Sequence, residues 1–271
     1  MDTLQFLYGT KVGRVLLRPL ISRPVSVISG WLLDSRASRA LIQPFVKSNG
    51  ICTDDYELDG IKCFNDFFCR KIKKELRPIE MDDSALIAPC DGLLTVHKVS
   101  KGDVIGVKQS RFTISSLLRD KELAKSFEDG YCMVFRLCVN HYHRYIYFDS
   151  GHKYKNRKIN GVFHTVRPVA LEKYPVFVEN SREYAVIDTK NFGRCVQMEV
   201  GAMLVGHIAN ESQDSCMVKR GMEKGHFEYG GSTIIVLLPK DAVQLNSAVK
   251  NAMQQHVELP VQMGEVLGCR K

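Results

Sequence analysis

Short apolar runs separated by turn residues dominate the chain from Ala85 onward. The runs are rich in β-branched and aromatic side chains, and Gly, Asp and Asn lie between them, which is the pattern of strands joined by tight turns. They cover 93–96, 132–139, 145–148, 184–188, 195–200 and 233–238. Long helices do not alternate with them, so a doubly wound parallel sheet is disfavoured. The sequence therefore predicts a mostly antiparallel β body.

The first fifty residues predict helices instead. Helical segments over 3–47 are broken at Pro19 and Pro24, because proline lacks the N–H that a helix interior needs. A further helix is expected over Phe64–Ile72. We therefore predict an α+β fold, in which a helical N-terminal region over 1–50 precedes the mostly antiparallel β body.

Positive charge is concentrated in this helical region. The formal net charge is +8, and residues 1–50 hold seven basic side chains against two acidic ones. Lys11, Arg14 and Arg18 recur at spacings that place them on one helical face, with apolar residues opposite. This pattern is typical of a helix lying in a membrane interface, and equally of a surface helix packed on the protein's own core. Because aromatic residues are few and no recognition motif is present, we expect an anionic membrane surface as a partner and no nucleic acid.

The sequence also bears on location and metal binding. No apolar run approaches the ~18 residues needed to span a bilayer, and the first residues lack the pattern of a signal peptide. Nine cysteines are scattered without a C-x-x-C pair, which favours reduced thiols and offers no zinc spacing. We expect a peripheral membrane protein on the cytoplasmic side of the cell membrane, with no metal.

The residues around Ser232 form the sharpest local feature. Gly230 and Gly231 precede the serine, and an apolar run follows it. Two glycines allow unusual backbone conformations and leave the Gly231 carbonyl unshielded, so the serine hydroxyl can attack it. An N-to-O acyl shift, elimination and hydrolysis would then cut the chain and convert Ser232 into a pyruvoyl group, given strain, a base and oxyanion stabilisation. Taken alone, these residues favour a simple Gly-Gly turn entering a buried strand.

The segments around this site reverse that interpretation. Gly-Gly-Ser-Thr before an apolar strand resembles the processing site of the phosphatidylserine decarboxylase family, and other blocks resemble the same family in the same order. The blocks are Phe64–Phe68 with Arg70, Arg77–Ile79, Ala88–Gly92, Tyr142–Arg144, Thr165–Pro168, Gly201–Gly206, Glu223 with Gly225 and Phe227, and Gly230–Thr233. Each block alone is a weak signal. Seven of them in the family's order, together with the processing site, are specific to the family.

The resemblance implies a self-processing, pyruvoyl-dependent decarboxylase. Cleavage between Gly231 and Ser232 would give chains 1–231 and 232–271, with the pyruvoyl cofactor at residue 232 and a catalytic domain over 51–271. The pyruvoyl carbonyl would form a Schiff base with phosphatidylserine and accept electrons as CO2 leaves, which yields phosphatidylethanolamine. The implied partners are this lipid, an anionic membrane surface, the protein's own two chains and a second copy in a homodimer. Neither pyridoxal phosphate nor a metal is implied.

The resemblance also names partners for Ser232. Asp91 matches a charge-relay carboxylate, which would orient and stabilise the histidine that deprotonates the serine; by itself it is a turn residue. His143 matches a histidine used near the pyruvoyl group, and its side chain suits proton transfer. The family pattern has a second histidine three positions later, where this chain has Ile146. His164 is a replacement candidate, so both histidines are carried as the base.

Three alternatives stay open. A related pyruvoyl decarboxylase of another amino acid or serine lipid would keep Ser232 and change the pocket. A non-catalytic binding module would keep the fold without the chemistry, although a serine after two glycines argues against it. A serine hydrolase would need a G-x-S-x-G turn, which the sequence lacks.

Overall fold

A computed structural model describes residues 3–100, 104–107, 110–203, 207–230 and 232–271. The helices in these ranges are α1 (Thr3–Gly9), α2 (Lys11–Leu20), α3 (Arg23–Asp34), α4 (Ile42–Asn49), α5 (Phe64–Phe68), α6 (Ile114–Leu118), α7 (Lys121–Lys125), α8 (Pro168–Leu171), α9 (Val176–Glu179) and α10 (Ser247–Gln255). Short 3₁₀ turns cover Arg36–Leu41, Thr53–Asp55 and Lys74–Leu76.

Capping residues define the ends of the N-terminal helices. Thr10 accepts a hydrogen bond from the Gly13 N–H at the start of α2. Pro24 lies in the first turn of α3, where a helix needs no N–H donor, and Gly50 closes α4 with a φ of 62°. The predicted interruption is confirmed, because α2 ends just after Pro19 and α3 begins just before Pro24.

Strands make up most of the remaining chain. They are β1 (Tyr56–Glu57), β2 (Lys71–Ile72), β3 (Ala85–Ile87), β4 (Gly92–Lys98), β5 (Val104–Val107), β6 (Ser110–Thr113), β7 (Tyr131–Leu137), β8 (Arg144–Ile146), β9 (Gly151–Lys153), β10 (Arg157–Ile159), β11 (Arg182–Thr189), β12 (Gly193–Val200), β13 (Ile208–Asn210), β14 (Cys216–Val218), β15 (Glu223–Phe227), β16 (Ser232–Leu238), β17 (Val243–Leu245), β18 (Leu259–Val261) and β19 (Val266–Arg270).

The largest sheet has nine strands. Its order is β14-β9-β11-β12-β16-β7-β4-β18, with β10 beside β11. Smaller sheets are formed by β13-β15-β8, by β17-β19-β3, and by the pairs β1-β2 and β5-β6. All pairings between these strands are antiparallel. The predicted α+β class, with a helical N-terminal region and an antiparallel body, is confirmed.

The strand that begins at Ser232 lies in the middle of the large sheet. β16 pairs with β12 on one side and β7 on the other, and all seven of its residues are buried. Ile234 and Val236 contact one apolar core, whereas Ile235 and Leu237 contact the other. This alternation is that of a strand with both faces covered. The sheet therefore places Ser232 inside the molecule.

Helix α5 is shorter than the sequence predicts. Cys63 caps it: the sulfur accepts the Asp66 N–H at 3.4 Å, and the Asp66 carboxylate accepts the Cys63 N–H at 3.2 Å. The prediction of a helix reaching Ile72 is wrong, because the last two residues of that stretch pair with β1 as strand β2.

The N-terminal helices pack on the body with one side and expose the other. Tyr8 and Leu17 are buried in a core shared with the large sheet, and Ile42 packs on the aromatic residues of α5. The exposed apolar residues include Val12, Val15, Leu16, Val27, Ile28, Trp31 and Leu32. Among the described residues, no helix has the length and apolar character needed to cross a bilayer. The region therefore packs on the protein's own core with one side, while the membrane role of the other side and the domain boundary at residue 50 stay predictions.

Candidate active site

Ser232 and His143 meet in the interior. Ser232 is the first residue of β16, and its Oγ lies 3.3 Å from Nδ1 of His143, which comes just before β8. Both side chains are almost completely buried. The Phe227 N–H donates to the His143 carbonyl at 3.0 Å, so β15 fixes the histidine backbone beside the serine. The structure thus joins two residues that are 89 positions apart.

The tautomer of His143 follows from its second contact. Nε2 lies 3.1 Å from the carbonyl oxygen of Cys138. Because a carbonyl oxygen only accepts, Nε2 carries the proton and Nδ1 presents a lone pair. The Ser232 hydroxyl can therefore donate to Nδ1, which is the arrangement of a nucleophile with its general base.

The surroundings of His143 keep its ring neutral. Burial, then the positive charge of Arg70, then His141 lower the pKa of His143 to about 3. The ring of Phe68 packs against the imidazole, with 4.1 Å between ring centroids. At neutral pH the ring is therefore an available proton acceptor rather than a cation.

Helix α5 and the residues after it supply much of this environment. Phe68 covers the His143 ring, and Arg70 lies with its guanidinium 4.1 Å from the centre of the Tyr56 ring. Arg70 is buried, and its Nε and Nη2 have no hydrogen-bond partner in the described part of the chain. Asn65 holds the segment that precedes Ser232, since its Oδ1 accepts the Tyr229 N–H at 3.0 Å. The sequence analysis placed Phe64–Phe68 and Arg70 in one block of the family resemblance and predicted no role for these residues.

The backbone just before Ser232 has an unusual conformation. Gly230 has a φ of 131°, in a region that residues with a Cβ avoid. The predicted need for glycine is therefore met at position 230. Gly231, the other half of the predicted cleavage site, lies outside the described residues.

Asp91 is held in an ion pair. Its carboxylate accepts from Nε and Nη2 of Arg77 at 2.8 and 2.6 Å, and from the Met263 N–H at 2.9 Å. Among the described contacts, none joins Asp91 to His143 or to Ser232. The partner Arg77 lies in one of the characteristic blocks, but sequence reasoning did not pair it with Asp91. The charge-relay role of Asp91 stays a prediction.

His164 lies in a different cluster. Its Nδ1 is 3.2 Å from Tyr8 Oη, its Nε2 is 3.3 Å from the carboxylate of Glu179, and its ring stacks on Tyr174. Burial lowers the pKa of His164 to about 4. No described contact links it to Ser232. Ile146, at the position of the family's second histidine, is buried in the apolar core.

A cavity of about 670 Å³ opens beside the segment that precedes Ser232. Gly230 and Tyr229 line it from the body, and Leu4, Ser48 and Asn49 line it from the helical region. Its wall also includes Arg136 and Arg167. Nη2 and Nε of Arg136 bond to Glu258, whereas the Arg167 guanidinium has no hydrogen bond or ion pair among the described residues. The cavity thus offers an exposed cation, Arg167, on a wall that also includes Gly230.

The geometry around Ser232 is compatible with the expected pyruvoyl group. The serine is buried next to a neutral base, and Gly230, two positions earlier, has a positive φ. In the described ranges, one group of side chains has metal-ligand spacing, namely Glu211, Glu223 and His226. Glu223 in this group is paired with Arg144.

Comparison with known proteins supports the same family. The family described as phosphatidylserine decarboxylase matches residues 64–269. A protein of Clostridium acetobutylicum, phosphatidylserine decarboxylase proenzyme 2, is 38% identical over 266 residues, which cover 98% of this chain and 91% of that protein. Phosphatidylserine decarboxylase proenzymes of Clostridium botulinum and Ruminiclostridium cellulolyticum are 37% and 36% identical over 99% and 98% of this chain, and 92% and 90% of their own. The chain therefore belongs to the phosphatidylserine decarboxylase family.

Proposed function

We propose that this protein decarboxylates phosphatidylserine to phosphatidylethanolamine, with a pyruvoyl group that it makes from its own Ser232. The observation that carries the proposal is the contact between Ser232 Oγ and Nδ1 of a buried, neutral His143. It lies in a member of the phosphatidylserine decarboxylase family whose relatives are named proenzymes. A proenzyme needs a processing reaction, and this contact supplies a nucleophile and a base for one.

Cleavage begins with Ser232. As its Oγ bonds to the carbonyl carbon of Gly231, His143 Nδ1 takes the hydroxyl proton and then returns it to the departing Ser232 nitrogen, leaving an ester. Loss of the Ser232 Cα proton and breakage of the Cβ–O bond release Gly231 as a carboxylate and leave dehydroalanine. Water converts dehydroalanine into the pyruvoyl group and ammonia. The lowered pKa of His143 favours prompt return of the proton.

The two chains are expected to stay together after cleavage. β16 would begin the small chain, and it remains buried between β12 and β7 of the large chain. β18 and β19 of the small chain pair with β4 and β3. The Arg136–Glu258 ion pair also joins the two chains. Burial of apolar strands on both faces is the main force that holds them.

The remaining residues of the site serve the substrate. The pyruvoyl group would supply a carbonyl that accepts electrons as CO2 leaves the lipid head group. The adjoining cavity admits that head group beside Gly230, and the exposed guanidinium of Arg167 attracts its phosphate or carboxylate. His143 remains next to residue 232 and can hold or deliver a proton there.

We further propose peripheral docking on the cytoplasmic side of the membrane. In α2, Gly13 packs on α1 and Leu17 faces the body, while Lys11, Arg14 and Arg18 are exposed among apolar residues. Basic and apolar side chains together favour binding at an anionic lipid surface. Because Leu4, Ser48 and Asn49 also line the cavity, the docking helices border the entrance to the site. Replacing the three basic residues by glutamine should weaken sedimentation with phosphatidylserine vesicles; unchanged sedimentation would contradict this docking.

The test of the proposed function is a substrate comparison with a serine control. Purified protein is assayed for CO2 release from phosphatidylserine, other serine-headed lipids and free amino acids. Ser232→Ala should abolish both cleavage and CO2 release, whereas Ser247→Ala, an exposed serine of the small chain, should change neither. Preference for a free amino acid would refute the lipid substrate. Normal CO2 release by Ser232→Ala would refute the pyruvoyl mechanism.

A further inference from the structure

A second cavity lies beside the first. It encloses about 610 Å³ between α10 and the segment that carries α8 and α9. Arg136 and Pro168 line both cavities, so the two share a wall. The first cavity reaches Gly230 beside the reactive serine. The second cavity therefore adjoins the first, and Gly230 is not part of its lining.

The charge of the lining differs between the two cavities. The far cavity is lined by apolar residues from both prospective chains, among them Leu171, Phe177, Met253 and Val257. The charge of Arg136 at the junction is balanced by Glu258, since both nitrogens that face the carboxylate are hydrogen-bonded to it. The exposed cation Arg167 lines the near cavity and not the far one. The near cavity is thus cationic, whereas in the far cavity the charges of Arg136 and Glu258 offset each other beside an apolar cluster.

Two imidazoles line the far cavity, those of His97 and His256. His97 lines the wall, and its Nε2 is buried without a hydrogen-bond partner in the described residues. Burial, and then the neighbouring His256, lower the pKa of His97 to about 4. The His97 ring is therefore neutral at physiological pH and adds no charge to the far cavity.

We propose that the far cavity holds an acyl chain of the lipid substrate while the head group occupies the near cavity. The proposal rests on the proposed function and adds where the lipid's tail binds. The order of the two cavities matches the order of groups in a phospholipid: the serine lies nearest residue 232, the phosphate near Arg167, and the hydrocarbon beyond Arg136. Because α10 belongs to residues 232–271, the small chain would help to select the tail.

The first test changes the far cavity without disturbing the core. Val257 is 48% exposed, so Val257→Asp should fold while placing a charge along the tail's path. Val266→Asp is the matched control, since Val266 is also exposed in the small chain but does not line the cavity. The substrates are dioleoyl-phosphatidylserine, dihexanoyl-phosphatidylserine and glycerophosphoserine, each assayed with fully processed protein.

We expect Val257→Asp to lower kcat/KM for the dioleoyl lipid about tenfold, because losing the burial of two methylene groups has an effect of that order. The value for glycerophosphoserine should stay within about twofold, and Val266→Asp should change neither. Equal losses on all three substrates, or no loss on the dioleoyl lipid, would overturn the proposal. So would a change in oligomeric state with an unchanged chain-length preference, because the cavity would then be an interface between two copies.

The second test does not depend on decarboxylation. A phosphatidylserine with a diazirine near the end of one acyl chain is photolysed with uncleaved Ser232→Ala protein, and the labelled peptides are identified by mass spectrometry. Labels are expected on residues 168–177 and 252–258, with less label in Val257→Asp. Labelling confined to the exposed side of α2 and α3 would overturn the proposal. Because this variant cannot form a pyruvoyl group, the result is independent of whether the proposed chemistry is right.

Discussion

His143 and His164 have similar environments and different partners. Both are buried, and burial lowers the pKa of both, to about 3 and about 4. His143 faces the hydroxyl of Ser232, whereas His164 faces the hydroxyl of Tyr8 on the N-terminal helix. The first contact joins a base to a candidate nucleophile, and the second fastens α1 to the body. Burial and pKa alone therefore do not identify the base; the hydroxyl beside it does.

The largest effect should separate the two histidines. His143→Ala should slow self-cleavage by about 10²–10⁴-fold, the usual contribution of a general base, while His164→Ala should stay within about threefold of the unmodified protein. The measurement follows labelled full-length chain after cell-free synthesis. Slower cleavage in His164→Ala than in His143→Ala would assign the base to His164 and contradict this account.

Asp91 provides the next test. Asp91→Asn and Arg77→Gln each leave half of a largely buried ion pair, so each should lower the free energy of unfolding by about 3 kcal/mol. If Asp91 also stabilises the histidine cation formed during cleavage, Asp91→Asn should slow cleavage at least about tenfold more than Arg77→Gln. Denaturant unfolding and the cleavage assay measure the two quantities separately. Equal cleavage rates would leave Asp91 with a structural role.

The pH dependence of cleavage should reflect the environment of His143. With its pKa lowered to about 3, the imidazole stays unprotonated well below the ordinary histidine value, so the rate should be nearly constant from about pH 8 to about pH 5. Arg70→Met removes a nearby positive charge and should raise this pKa, so the decline in acid should begin at a higher pH. Lys71→Met, at the exposed neighbouring position, is the control. A midpoint near pH 6.5 in the unmodified protein would contradict a buried base.

The smallest effect concerns the helix that His164 holds. Tyr8→Phe removes the hydroxyl that contacts His164 Nδ1 and accepts the Thr165 N–H at 3.1 Å. The free energy of unfolding should fall by about 1–2 kcal/mol, with cleavage unchanged. Thermal unfolding beside the cleavage assay would show this. Slower cleavage in a stably folded Tyr8→Phe protein would couple the two histidine clusters.

Local pattern was enough to predict six of the nineteen described strands, namely β4, β7, β8, β11, β12 and β16, but not their partners. The apolar run after Ser232 became β16 because its composition suits a strand covered on both faces. The predicted helix over Phe64–Ile72 was too long because Lys71 and Ile72 pair with strand β1. Local periodicity does not reveal such a pairing.

Only part of the candidate site could be predicted, because local pattern does not reveal contacts between residues far apart in the sequence. Ser232 and His143 were identified from short blocks, each readable in the sequence. The contact between Tyr8 and His164 spans 156 positions, and the pairing of Asp91 with Met263 spans 172, so only the folded chain reveals them. The sequence gives no direct signal for the role of the Cys138 carbonyl, because any residue supplies that group.

The most direct test of the central claim is the intact mass of freshly purified protein. Self-cleavage at Ser232 predicts two chains, 1–231 and 232–271, the smaller beginning with a pyruvoyl group that blocks amino-terminal sequencing. A single full-length chain that decarboxylates phosphatidylserine at a normal rate would contradict the account.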